Sequence, residues 1–227
     1  MHLLTTLSIF LLPTLILSHG IVISPPPRAP GPASLSACGK SITEIIKSDN
    51  QSGIEVLHKA SVNSKDYNPS KCNILLCKGL QLEDNTKNVQ HWVPGQKVKL
   101  SIWTRIPHIG WWSVGIVDSQ SMLLVGGEAL KTGETGSVSG FEVPGEHEGI
   151  YDDEMDEEMM IDFEIDFEIP KVFPRCVNPG DCVLQWTWFG RVVKQTYESC
   201  IDFVVTPESY SVDDGGDELE SQKPISD

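Results

Sequence analysis

Apolar residues recur at every second position over several stretches of this chain. Ile161, Phe163, Ile165, Phe167 and Ile169 alternate with acidic residues, and Val98, Leu100 and Ile102 alternate with polar ones. Val114 to Val117 forms a short apolar run, and Cys182 to Trp188 and Cys200 to Val205 complete the set. A period of two sends successive side chains to opposite faces of a strand, and turn residues separate the runs. A short helix is predicted over Ser41 to Ser48. Pro25, Pro26, Pro27, Pro30 and Pro32 make the segment after His19 read as extended and irregular. Asn50 to Asn88 reads as loop-rich. The pattern predicts an all-β fold, a β-sandwich with long loops and short helices.

The first eighteen residues stand apart from that pattern. Leu3 to Leu17 is uncharged and mostly Leu, Ile, Thr and Phe, interrupted by Pro13. The run is too short to span a bilayer and has the length of a secretory h-region. Ser18 suits the last position before cleavage, which leaves His19 as the mature N-terminus. No second hydrophobic stretch or lipid-anchor tail follows. The expected organisation is a signal peptide at 1–18, one domain at 19–206 and a tail at 207–227, in a secreted, extracellular protein without a membrane anchor.

Charge refines the tail and one loop. The formal net charge is −15, but it is concentrated in two segments. Glu142 to Glu168 holds 13 acidic residues and no Lys or Arg, and Glu208 to Asp227 holds 7 acidic residues and one Lys. In the remainder 16 basic residues face 12 acidic ones, so the body is nearly neutral. It has no basic stripe to neutralise phosphates, so nucleic acid is not an expected partner. Asp152 to Glu158 lacks the spaced ligands and the turn glycine of a calcium loop and reads as a solvated loop. The tail is acidic and poor in core residues, and is expected to be disordered.

Six cysteines in an exported chain read as three disulfides rather than as a thiolate metal site. Fifteen connectivities are open by sequence. Cys176 and Cys182 flank Asn178-Pro179-Gly180-Asp181, turn formers that can bring two sulfurs together. Cys38–Cys72 and Cys77–Cys200 are the pairs entertained for the other four. Asn50-Gln51-Ser52 is a glycosylation sequon, with Asn50 as the acceptor.

A mature chain that begins His19-Gly20 has unusual ligand chemistry. An N-terminal histidine offers two nitrogens from one residue, the α-amine and the imidazole. A third nitrogen from a distant histidine completes a planar, T-shaped site, and nitrogen-rich tetragonal geometry favours copper(II). The α-amine becomes a free amine only on signal cleavage.

The stretches HGIVISPPPRAPGPASLSACG, CNILLCKGLQLEDNTKNVQ, RIPHIG with GIVD, CVLQWTW and QTYESCIDF run in order from residue 19 to 205. In them the chain resembles the fungal lytic polysaccharide monooxygenases, most of all auxiliary activity family sixteen. The resemblance implies an immunoglobulin- or fibronectin-like sandwich and a copper-dependent oxidative cleavage of crystalline polysaccharide, cellulose before chitin or hemicellulose. An external electron donor and O2 or H2O2 would be the co-reactants, and the protein would act as a monomer. It implies His19 and His108 as the copper ligands, Tyr197 on the axial side, and Gln195 as a catalytic neighbour that hydrogen-bonds an oxygen species. On a strand, residues 195 and 197 share a face. Trp111-Trp112 stands where the family has small or polar residues, and an exposed indole there would stack on a pyranose ring as a substrate contact. The alternative is a non-catalytic copper-binding or polysaccharide-binding protein on the same sandwich. No carboxylate pair stands out from the acidic background, which argues against a glycoside hydrolase.

Overall fold

The computed structural model describes residues 19–106, 108–135, 161–171 and 175–206, with the backbone alone described for His19, Arg105, Ile106, Ile161 and Asp162. The expected signal peptide 1–18, the acidic stretch 152–158 and the tail 207–227 lie outside the described residues.

Among the described residues, eight strands form two sheets. They are β1 (His19–Ser24), β2 (Gln90–Trp92), β3 (Lys97–Ile106), β4 (Gly110–Asp118), β5 (Lys131–Thr135), β6 (Ile161–Glu168), β7 (Cys182–Gly190) and β8 (Gln195–Val205). One sheet runs β1-β3-β6 and the other β2-β8-β7-β4-β5. Alternation decides which side chains meet between them. Val98, Leu100 and Ile102 of β3 and Ile165 and Phe167 of β6 are buried, together with Val22 of β1. They pack in one cluster with Val114, Ile116, Leu184, Trp186, Trp188, Tyr197, Ile201 and Phe203 of the larger sheet. Full burial of each such side chain is worth about 1.5–3 kcal/mol, before the entropy of ordering it. Glu164, Asp166 and Glu168 of β6 face outward, where Lys99 Nζ meets Glu164 at 2.6 Å. Both partners are about half exposed, so the pair adds little.

The fold is the all-β sandwich that the alternation predicts, with corrections at the edges. The segment expected to be irregular from His19 onward first pairs with β3 through Ser24, before the prolines begin. The predicted helix at Ser41–Ser48 is only the second half of α1 (Pro32–Ser48), which bends at Gly39, where φ is +79°. Its start is fixed from afar: the Asp84 carboxylate accepts the Ala33 and Ser34 N–H groups at 2.9 and 2.8 Å. A cap 50 residues away leaves no local signature. A second helix, α2 (Ile54–Asn63), occupies the region read as loop and buries only Leu57 and Ser61.

α2 lies against β8, and the segment after it is fastened to that strand by a disulfide. The cysteines close as Cys38–Cys72, Cys77–Cys200 and Cys176–Cys182. Beside the second bridge, the Glu198 carboxylate accepts the Cys77 N–H at 2.7 Å and a hydrogen bond from Gln185 Nε2. Arg28 donates Nε and Nη2 to Asp202 at 2.8 and 2.6 Å, and Nη1 to the Leu80 carbonyl at 2.7 Å, tying β1's continuation to the same strand.

Lys78 is buried in this layer, and its Nζ donates to the Asn50 carbonyl at 2.8 Å. Burial pushes its ammonium down to about 8, although the Glu198 and Asp49 charges resist. The unfolded chain therefore holds this proton more tightly than the folded one between pH 8 and 10.5, and this contribution to stability grows as pH rises through that window. Urea midpoints measured from pH 7.5 to 10 should rise for the native chain relative to Lys78→Met. Parallel profiles would contradict a buried, depressed ammonium.

Candidate metal centre

Strand register brings the residues of interest to one end of the sandwich. His19, the first residue of β1, lies opposite Ile106 at the end of β3, two residues before His108. Gly110, two residues after His108, opens β4 opposite Gly190 at the end of β7. Gly190 lies opposite Gln195, the first residue of β8. A Cβ at Gly110 would fall 2.0 Å from the Phe189 carbonyl oxygen, so only glycine lets β4 begin this close to β7.

Trp188 sits at the centre of this end. Its ring is fully buried, centred 5.2 Å from the Tyr197 ring and stacked on the His108 ring at 6.5 Å. The position of a Cβ on Gly20, next to His19, lies 3.0 Å from Trp188 Cε3. The β1 backbone therefore rests on the indole that also supports His108. The His19 side chain is outside the described atoms, so the structure locates its backbone only.

His108 is half-buried. Its carbonyl accepts a hydrogen bond from Thr135 Oγ1 at 2.5 Å, and that oxygen accepts one from Trp188 Nε1 at 3.1 Å. Backbone and ring are thus both held by Trp188, once through Thr135 and once by stacking. His108 Nε2 is buried with no hydrogen-bond partner. Such an atom is costly unless a ligand satisfies it. Burial also lowers the imidazolium below the ordinary histidine value, which favours the neutral, ligating ring.

Tyr197 is fully buried on the inner face of β8, and its hydroxyl donates to Gln195 Oε1 at 2.5 Å. The two residues share a face, as expected of positions two apart on a strand. The donor set at this end is an orphaned imidazole nitrogen, a phenol and an amide, beside the backbone of a histidine that cleavage would make terminal. The imidazole nitrogen is a ligand type that suits copper, zinc, iron and nickel alike. Among the described residues one other group clusters potential ligands, Cys77, Glu198 and Cys200. Its two sulfurs are joined in a disulfide, so no thiolate is present to bind a metal.

The adjacent tryptophans part company. Trp111 is 50 % exposed and lies over Phe189, with ring centroids 4.8 Å apart. Trp112 turns inward, packs against the main core and approaches Phe163 at 6.5 Å. Of the two expected substrate contacts, only Trp111 offers a free ring face, and Ile109 beside it is 48 % exposed. Asn50 is exposed at the turn between the helices, while Ser52 of the sequon is buried. Sequence reading missed Thr135 and Trp188 as supports of His108. The alternation in Cys182 to Trp188 announces an inward Trp188, but nothing local marks Thr135.

No protein-family model and no curated protein matches the chain. Several solved structures are similar to it. A chitin binding domain from Burkholderia pseudomallei has 12% identity over 83% of this chain and 100% of its own, with a TM-score of 0.39. A lytic polysaccharide monooxygenase from Jonesia denitrificans has 14% identity over 83% and 100%, with a TM-score of 0.37. The AA15 lytic polysaccharide monooxygenase from Thermobia domestica, in its Cu(I) state, has 15% identity over 84% and 100%, with a TM-score of 0.39. At such identities the function of this chain stands on its own side chains.

Thr135→Val removes the acceptor for Trp188 Nε1 and the donor to His108. Urea denaturation should show a loss of about 1–3 kcal/mol, the cost of leaving a buried indole N–H unpaired. An unchanged midpoint would remove Thr135 from the support of His108.

Proposed function

We propose that the chain is a secreted copper-dependent monooxygenase of the lytic polysaccharide monooxygenase type, similar to auxiliary activity family sixteen, that cleaves glycosidic bonds of crystalline polysaccharide oxidatively. The observation that carries this reading is the buried, unpartnered His108 Nε2, at the end of the sandwich where the His19 backbone and the Tyr197–Gln195 pair also lie. The α-amine and imidazole of a terminal His19 and His108 Nε2 would hold copper, with the Tyr197 phenol as a further ligand. Bound there and reduced by an external donor, copper would supply, with O2 or H2O2, the oxidising power needed to remove hydrogen from C1 or C4 of a glycoside.

The chain's own residues do the rest. Trp188 and Thr135 hold His108 in place, which keeps its Nε2 aimed without reorganisation. Gln195 fixes the Tyr197 phenol through their hydrogen bond and brings an amide to the same face. Trp111 presents an apolar ring for a pyranose, and Ile109 extends that apolar surface beside His108. Cellulose is the first-choice substrate, ahead of chitin and hemicellulose. Three disulfides suit an oxidising, extracellular destination, in line with the leader-like residues 1–18 and a glycan on exposed Asn50.

Mass spectrometry of products from cellulose and from chitin, with and without ascorbate, tests the activity. Oxidised oligosaccharides should appear only with the reductant, and none on either polymer would defeat the enzyme reading. Calorimetry tests the site: His108→Ala should weaken copper binding by more than the roughly 10–100-fold typical of losing a residue that merely orients a ligand. Unchanged affinity would remove His108 from the centre.

A further inference from the structure

Gln195 and Tyr197 sit where β8 begins, and only one edge of the strand is paired there. β7 lies along that edge, from Gly190 opposite Gln195 onward. On the other edge β2 pairs with β8 only from Phe203 to Val205, so no described strand covers Gln195 to Tyr197. The start of α2 occupies that place. A Cβ on Gly53 would lie 3.4 Å from Gln195 Cβ and from the Thr196 carbonyl oxygen, so the two segments adjoin.

Glu55, in the first turn of α2, makes the polar contact. Both of its carboxylate oxygens accept the Thr196 N–H, at 3.0 and 2.9 Å, across 141 positions of sequence. That N–H belongs to the Gln195–Thr196 peptide, which is planar, so holding it fixes the backbone from which the Gln195 side chain projects. The Gln195 amide in turn accepts the Tyr197 hydroxyl at 2.5 Å. Glu55 itself is exposed and adds nothing to the core.

We propose that Glu55 is a positioning residue for the candidate centre: it holds the Gln195 amide against the Tyr197 phenol through the Thr196 N–H. The bearing of that on catalysis rests on the copper reading, whereas the hold on Gln195 needs no metal. A carboxylate in a first helical turn also favours its own helix through the dipole, and two conservative variants separate these roles. Glu55→Gln keeps an acceptor oxygen at the same reach and loses the charge. Glu55→Asp keeps the charge and is one methylene too short to reach Thr196.

The test follows the Gln195 side-chain NH2 pair by two-dimensional proton–nitrogen NMR of the metal-free protein, assigned by its absence in Gln195→Leu. The pair should stay at its native position in Glu55→Gln and move toward that of free glutamine in Glu55→Asp. The opposite order, an unmoved pair in both variants, or a native pair already at the free position would overturn the proposal. In copper-loaded protein, the Cu(II) electron paramagnetic resonance spectrum should change in Glu55→Asp as it does in Gln195→Leu, without further change in the double variant. An unchanged spectrum in copper-bound Glu55→Asp would also overturn it. If the native chain binds no copper, the copper reading fails, and the NH2 pair still decides whether Glu55 holds Gln195.

Discussion

The indole of Trp188 is the contact on which the candidate centre depends. It lies in the sandwich interior, and four parts of the chain converge on it: the β1 backbone at Gly20, the His108 ring, the Tyr197 ring and the Thr135 hydroxyl. These come from β1, the β3–β4 connection, β8 and β5, which no short-range interaction could align. A large, rigid, nearly planar side chain with one polar edge can meet all four, packing three through its faces and bonding the fourth through Nε1. Loss of that ring would open a cavity beneath His108 and free the start of β1 at once. The geometry of a candidate site assembled from distant segments is therefore inherited from ordinary core packing.

A second level of organisation lies on the far side of β8. There the strand faces a helical layer rather than the other sheet, and the contact is polar where the core is apolar. The Cys77–Cys200 bridge, the Glu198 carboxylate and the Arg28–Asp202 pair replace hydrophobic area with covalent and charge-assisted links. Glu55 of α2 extends this to the candidate centre, since its carboxylate accepts the Thr196 N–H beside Gln195 at 2.9 Å. One strand thus presents Tyr197 and Gln195 inward while its alternate residues hold the helices.

Most of the sandwich was legible because period-two alternation is a local record of which side chains are buried. β6 is the plainest case, where Ile165 and Phe167 are inward and Glu164, Asp166 and Glu168 outward, as the pattern demands. The helices were only half legible. α1 starts at Pro32 because Asp84 caps it from 50 residues away, and α2 buries too few side chains to leave a stripe. β2 and β5 are three and five residues long, too short for alternation to register. At the candidate site, the same-face relation of Gln195 and Tyr197 follows directly from strand geometry. The split of Trp111 from Trp112 agrees with it too, since neighbours on a strand point to opposite faces of the sheet. The orphaned Nε2 of His108 and its Thr135 support depend on tertiary contacts and could not be read in advance.

The central claim is that His19 supplies its terminal amine, together with His108, to one copper ion. Calorimetric copper titration of two otherwise identical proteins addresses it directly, one beginning at His19 and one carrying a single added glycine before it. The addition converts the amine to an amide, a far poorer ligand at neutral pH, and leaves every other side chain in place. The account predicts one tight copper site in the His19-terminal protein and loss of tight binding in the glycine-extended one, with both folded. Equal affinity in the two would contradict it.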